Sequence, residues 1–209
     1  DLVLDTASET PLAARVRAPQ LEVASFRLDE VEGGLELGRG RTLRGTLERA
    51  SFLGGALSGS YQLDGIGTDY AHRVDVAGSG LSLASFLTAI GVEPAGLGSR
   101  LEVAASAAWN GKAFPAGDGR ADVVLRRTSA VLPVAGVLGI DLIRDGMLRF
   151  SASELGVGDS TLRWQGTLGL DGWEPAWSLV AEPARLDEED ILEADQPIVA
   201  ALMQRAERG

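Results

Sequence analysis

A chain of 209 residues with a net charge of −11 at pH 7 is a poor candidate for a nucleic-acid-binding protein, because phosphate neutralisation needs clustered Lys and Arg. It has no cysteine, which excludes disulfides and cysteine metal sites, and no apolar run of about 18 residues, so no transmembrane helix is predicted. Hydrophobic residues make up 45% of the chain, yet it holds 27 Gly and only 4 Trp, 2 Tyr and 5 Phe. This composition favours many short strands and tight turns over a helical bundle.

The N-terminal part of the chain alternates between apolar and polar residues, which is typical of strands with one apolar face. Leu2–Leu4 reads as a short strand. Gly33-Gly34 predicts a turn, and Gly38–Arg41 has the length and composition of a hairpin loop. Leu57–Leu63 and Tyr70–Val76 are then two further alternating strands.

A short helix interrupts this pattern. Apolar residues between positions 83 and 90 recur at i, i+3, i+4 and i+7, the spacing of one helical face. Ser82 stands where an N-cap residue belongs, and Gly91 stands where a C-terminal glycine belongs. We therefore expect an amphipathic helix over about residues 82–90.

The second half of the chain returns to alternation. Arg100–Asn110 is the clearest strand, and Ala121–Leu125 makes the return strand after an Asn-Gly turn. Thr128–Ile140 is apolar but contains a proline and a glycine, and its pattern does not decide between a short helix and a covering loop. Gly146–Ala181 reads as a meander of three or four strands.

The C-terminal tail differs from the rest of the chain. Leu186–Asp195 holds six acidic residues, which favours a solvated helix start over a calcium loop, because the spacing lacks the glycine-centred ligand pattern. Helical spacing resumes after Pro197, so a broken helix is predicted from Asp187 to Arg205. The chain thus divides into a sheet domain, residues 1–183, and an acidic helical tail, residues 184–209.

No catalytic residue, metal site or cofactor is predicted. His72 is the single histidine, and without a second histidine or a cysteine a zinc site would need carboxylates almost alone. It is interpreted as a partly exposed strand histidine with Asp69 and Asp75 near it in sequence. A carboxylate-dependent hydrolase stays open on residue types, but the sequence cannot place two carboxyl groups at one cleft.

Six segments follow one another in an order that resembles the C-terminal region of AsmA-like proteins, relatives of TamB and of the eukaryotic bridge-like lipid transfer proteins. Each segment alone is a common Gly/Leu pattern, and the resemblance lies in their order. The segments are Gly54–Tyr61, Gly80–Gly91, Gly98–Val103, Leu132–Gly136, Asp145–Leu148 and Leu162–Leu170.

The resemblance implies a mainly β fold, a curled antiparallel meander that forms a half-tube (a β-taco) with an apolar inner face. Such proteins are anchored in the inner membrane of diderm bacteria, extend through the periplasm, and are implicated in phospholipid transport or outer-membrane biogenesis. They are not known as enzymes. This chain lacks the anchor helix and is short, so we expect a periplasmic segment of a membrane-anchored parent, with phospholipid as its ligand and an envelope protein as a partner for the C-terminal helix.

The expected lipid contact surface is the apolar face of the sheet. Each methylene that it buries would contribute roughly 0.8 kcal/mol, so acyl chains need no polar recognition to bind there. The alternative is that these residues pack against each other and the helix as an ordinary core. The lining candidates are Leu57, Tyr61, Leu63, Val74, Val76, Leu101, Val103, Trp109, Val123, Leu125, Leu148, Phe150, Leu162, Trp164, Leu168, Leu170 and Leu179.

A second functional hypothesis is a β-rich surface, adhesion or carbohydrate-binding module of an exported protein. It predicts a filled core and outward-facing aromatic residues. Trp173 and Trp177, on either side of Glu174-Pro175, would then form a platform for a sugar ring.

Overall fold

The computed structural model describes residues 2–4, 12–23, 26–38, 40–66, 70–89, 91–111, 117–143, 147–169 and 177–185. These residues form one antiparallel sheet of 12 strands and one short helix, α1 (Leu83–Ala89). The strands are β1 (Leu2–Leu4), β2 (Leu12–Val23), β3 (Phe26–Gly38), β4 (Thr42–Phe52), β5 (Gly55–Asp64), β6 (Ala71–Ser82), β7 (Leu97–Asn110), β8 (Asp118–Arg127), β9 (Leu132–Ile143), β10 (Met147–Val157), β11 (Ser160–Gly169) and β12 (Trp177–Arg185).

The sheet is an open meander. Each strand pairs with the next strand of the chain, so the order across the sheet is the order in sequence. β1 and β12 lie at the two edges of the described sheet and do not pair with each other. The prediction of a mainly β antiparallel meander with one short internal helix is therefore confirmed.

Several predicted features lie outside the described residues. They include the C-terminal helix from Asp187 to Arg205, the lining residue Leu170, and Trp173 with Glu174-Pro175 of the sugar platform. Of the tail predicted for residues 184–209, the structure describes the first two residues, which end β12.

The helix begins and ends where the sequence predicts. The hydroxyl oxygen of Ser82 accepts a hydrogen bond from the backbone N–H of Ser85 at 3.2 Å, which is the N-cap contact. Gly91 has a φ of +78°, and the N–H groups of Gly91 and Val92 donate to carbonyls of the last helical turn at 3.0 and 2.8 Å. This pattern is a Schellman C-cap, which a glycine adopts without strain.

The segment left undecided by the sequence, Thr128–Ile140, is neither a helix nor a loop over most of its length, because β9 occupies it from Leu132 onward. Its proline is the second residue of the strand and sits in a short parallel pairing with Gly98 of β7. Gly136 has a φ of +148°, and a Cβ there would lie 2.7 Å from the carbonyl oxygen of Glu154. Pro133 therefore lies at the start of the strand, and Gly136 allows two backbones to approach closely.

The predicted turn at Gly33-Gly34 is wrong, because both residues lie inside β3. A Cβ on Gly33 would lie 2.1 Å from the carbonyl oxygen of Thr46 in the neighbouring strand β4. Glycine is needed here because the two backbones approach too closely for any side chain. A glycine pair that resembles a turn in the sequence is therefore a packing feature of the sheet.

Burial is concentrated at one end of the sheet, which we call the closed end: the end where β6 leads through α1 into β7. Seven of the eight buried apolar residues of the described chain lie there. One cluster is Leu81, Leu101, Leu125 and Val134, joined by Leu83 of α1. The second cluster is Leu28, Val31 and Ala50. The opposite end, where β5 leads into β6 and β7 leads into β8, is the open end.

Candidate functional site

The strand register collects apolar residues on one face of the sheet, which we call the apolar face. One row of directly paired positions crosses five strands as Val76, Ala105, Ala121, Ile140 and Phe150. Side chains at paired positions lie on the same face of a sheet. The row therefore forms a continuous apolar strip from β6 to β10.

The predicted lining residues fall on this face wherever the structure describes them. Backbone pairing places them in rows of directly opposite residues that continue from one strand to the next. Leu101 and Leu125 also belong to the buried cluster at the closed end. The lining positions whose side chains the structure describes are Leu57, Tyr61, Leu63, Val74, Val76, Leu101, Val103, Trp109, Val123, Leu125, Leu148, Phe150 and Leu162. The side chains of Trp164, Leu168 and Leu179 lie outside the described part of the chain.

The two faces of the sheet differ in exposure. Along β6, Val74 and Val76 on the apolar face are half-buried, whereas Arg73, Asp75 and Ala77 on the other face are exposed. The described residues form a single sheet layer, and α1 packs against it at the closed end through the buried cluster. Among the residues that the structure describes, the apolar face toward the open end is thus sheltered mainly by its own side chains.

Four rings gather on and beside the apolar face at the open end, and we call them the aromatic cluster: Tyr61, Tyr70, His72 and Trp109. The hydroxyl of Tyr61 lies 2.8 Å from Nδ1 of His72 in a hydrogen bond. The imidazole stacks on the indole of Trp109, with centroids 4.7 Å apart and planes 4° apart. The rings of Tyr61 and Tyr70 lie 6.0 and 6.3 Å from the imidazole centroid.

The sequence placed His72 and Trp109 in strands but did not bring them together. They meet because they occupy directly opposite positions of β6 and β7. Both residues are at apolar-face positions of adjacent strands. This could have indicated that their rings meet, but only with the register between β6 and β7 known.

The described residues around His72 include no cluster of metal ligands. Asp75 is three residues along the same strand and therefore lies on the opposite face. Asp69 lies outside the described residues. Among the residues that the structure describes, no three His, Asp or Glu side chains are close enough together to hold a metal ion.

Two hollows of the described surface lie mainly on the opposite, polar face, and Leu57, Val76 and Val103 of the predicted lining also border them. These two shallow depressions of about 400 and 470 Å³ are lined mainly by small and polar residues such as Ser60, Ala77, Ala104 and Ser106. Arg120 and Asp122, which border the first depression, form an ion pair in which Arg120 donates to the carboxylate of Asp122 at 2.8 to 3.2 Å.

The Arg120–Asp122 pair is also the clearest electrostatic feature of the polar face. Hydrogen bonds from the guanidinium hold the pKa of Asp122 below its usual range. The same hydrogen bonds, with the attraction between the two charges, raise the pKa of Arg120. Both groups therefore stay charged and paired at neutral pH.

The described part of the chain includes no helix of the length and apolarity that a bilayer crossing requires. Comparison of the chain with protein-family models, with curated proteins and with solved structures finds no match.

Proposed function

We propose that the chain is a non-enzymatic periplasmic segment of an AsmA-like protein. Its apolar face would receive the acyl chains of phospholipids, in transport between the two membranes of a diderm bacterium or in outer-membrane biogenesis. The observation that carries the proposal is the continuous apolar face, half-buried and without a second sheet layer among the described residues.

An apolar sheet face in water needs a cover, which in most proteins is a second layer of sheet or helix. Acyl chains can serve as that cover, because each methylene removed from water contributes about 0.8 kcal/mol. Affinity then depends on the area of contact and not on a sharp polar site. This suits a protein that holds lipids of different chain composition.

The dimensions of the face are compatible with an acyl chain. The row from Val76 to Phe150 crosses five adjacent strands, which at about 4.8 Å per strand spacing is about 19 Å. One leaflet contributes about half of a bilayer hydrocarbon core of about 30 Å, so a single chain is about 15 Å long. One row could therefore contact most of a chain.

The exposure difference between the faces supports a curled arrangement with the apolar face inside. In a curled sheet the side chains of the inner face crowd together, while those of the outer face spread apart. The half-buried Val74 and Val76 and the exposed Asp75 and Ala77 follow this pattern. In this proposal the sheet is a half-tube and the apolar face is its inner surface.

Site-specific photocrosslinking in a diderm host tests the proposal. A photoreactive residue at Val76 or Val103 should yield lipid adducts that mass spectrometry detects after purification. The matched controls are Ala77 and Ala104, the next residues along each strand, which are on the polar face. Equal crosslinking from both faces, or a lipid-free protein that also takes up no fluorescent phospholipid, would contradict the proposal.

A further inference from the structure

We propose that Tyr61, His72 and Trp109 form a subsite for the polar end of an acyl lipid, and that they fix which way the lipid lies on the apolar face. This inference rests on the proposed function and adds a specificity-determining site to it. The ligand chemistry is an oxygen acceptor joined to an acyl chain, as in a fatty-acid carboxylate or in the ester and phosphate groups of a phospholipid.

The three residues differ from the other strand residues on this part of the apolar face. The buried Ser99 lies farther along β7, at the closed end. Across the four paired rows of β5 to β8 that run from Leu57 to Leu63, every other residue on the apolar face is aliphatic or glycine. Only Tyr61, His72 and Trp109 carry polar atoms there. Sites for amphiphilic ligands commonly pair a mainly apolar lining with a few polar groups that set the orientation.

The hydrogen bond between Tyr61 and His72 leaves one imidazole nitrogen for a ligand. When the Tyr61 hydroxyl donates to Nδ1 across 2.8 Å, the neutral imidazole carries its proton on Nε2. That N–H can donate to a lipid oxygen. Stacking on Trp109, with the planes 4° apart, fixes the orientation of the ring that makes this donation.

The two ends of the apolar face also fit an amphiphile. The closed end is filled by the buried cluster of Leu81, Leu101, Leu125 and Val134, which offers no polar group to a ligand. His72 lies at the opposite end of β6 from Leu81, and Tyr61 lies beside it on β5, so both polar groups are toward the open end. A lipid with its polar end on these residues keeps its chain on the aliphatic surface.

The test compares the full chain with the double variant Tyr61→Phe/His72→Phe, which keeps both rings and removes both polar groups. The matched control is Tyr70→Phe, a neighbouring ring outside the hydrogen bond. Three fluorescent probes are titrated: a fatty acid, a diacyl phospholipid and the pure hydrocarbon diphenylhexatriene. Circular dichroism and the urea unfolding midpoint check the fold, and Tyr61→Phe alone serves if the double variant does not fold.

The expected result is about three- to tenfold weaker binding of the lipid probes to the double variant, as for the loss of one hydrogen bond, with diphenylhexatriene binding kept. Loss confined to the fatty acid identifies a carboxylate ligand, and loss confined to the phospholipid identifies the ester or phosphate. Unchanged lipid binding, or a parallel loss of all three probes, overturns the inference. If the unaltered chain binds none of the probes, the proposed function itself fails.

Discussion

The imidazole of His72 lies flat against the indole of Trp109, with ring centroids 4.7 Å apart and ring planes 4° apart. The contact exists because the two residues are direct partners in the antiparallel pairing of β6 and β7. A slip of one residue would move one ring to the polar face and separate them. The aromatic cluster therefore depends on the strand register as well as on the ring chemistry.

The two faces of β7 give a direct test of which one contacts lipid. Ala105 is half-buried on the apolar face, and its neighbour Ala104 is exposed on the polar face. A carboxylate at position 105 would lie against acyl chains and would lose water contacts there, which is costly. We expect Ala105→Glu to weaken phospholipid uptake about tenfold or more, and Ala104→Glu to leave it unchanged, in a fluorescent-lipid titration.

The comparison is informative only if both variants fold, so the urea unfolding midpoint of each is measured alongside. Equal lipid uptake by the two variants would show that the apolar face is not the contact surface. A selective loss in Ala104→Glu would assign lipid contact to the polar face instead.

The strands and their apolar face could be predicted from the sequence because alternation reports the side of the sheet directly. Val74, Val76 and Val103 are assigned to one face by position alone, and the pairing of β6 with β7 relates them through shared rows. The short helix was also predictable, because the Ser82 cap and the Gly91 terminus are local signals. Both kinds of inference use information contained in a single segment of chain.

What could not be predicted depends on contacts between segments. Gly33 looks like a turn residue, but its role is set by the carbonyl of Thr46, on the neighbouring strand β4. Leu101 and Leu125 have the same alternation as the half-buried Val103 and Val123, yet they are buried because they meet Leu81 and Val134 at the closed end. Burial along a strand therefore changes with position in a way that periodicity does not encode.

The close approach at Gly33 predicts a local intolerance to any side chain. In Gly33→Ala, the new Cβ would lie 2.1 Å from the carbonyl oxygen of Thr46, so β3 or β4 must shift. We expect a loss of about 1–3 kcal/mol in the free energy of unfolding. The control is Gly40→Ala in the β3–β4 hairpin, where the nearest atom would lie at 3.9 Å, and it should be nearly neutral.

Urea denaturation followed by circular dichroism measures both glycine variants. If Gly33→Ala unfolds at the same urea concentration as the unaltered chain, β3 and β4 are not as closely spaced at this point as the structure has them.

The closed end should contribute far more to stability than the exposed apolar residues. Leu101 is 7% exposed within the buried cluster, whereas Leu35 is 44% exposed on β3. Leu101→Ala removes buried methylenes and leaves a cavity, so we expect a loss of about 2–4 kcal/mol in the free energy of unfolding. Leu35→Ala should cost less than about 1 kcal/mol. Similar losses from the two variants in urea titrations would argue against a core at the closed end.

The Arg120–Asp122 pair predicts a specific acid sensitivity. Hydrogen bonds from Arg120 lower the pKa of Asp122 below the ordinary 3.8, while the unfolded chain keeps the ordinary value. The folded state then binds fewer protons between these two values, so the stabilisation is fully present above the ordinary pKa. It is lost as the pH falls through the lowered pKa. Asp122→Asn and Arg120→Gln should therefore each reduce the drop in urea midpoint between neutral and strongly acidic pH.

High salt provides an independent check on this pair, because both side chains are more than one third exposed and their attraction is screened by ions. In about 1 M NaCl, the urea midpoint of the unaltered chain should therefore fall less on acidification than it does at low salt. The difference between the unaltered chain and Asp122→Asn should become smaller. A midpoint that falls equally in the variants and the unaltered chain would contradict the assignment. So would a difference in pH dependence between Asp122→Asn and the unaltered chain that appears only on the alkaline side, since the pKa of Asp122 is lowered and not raised.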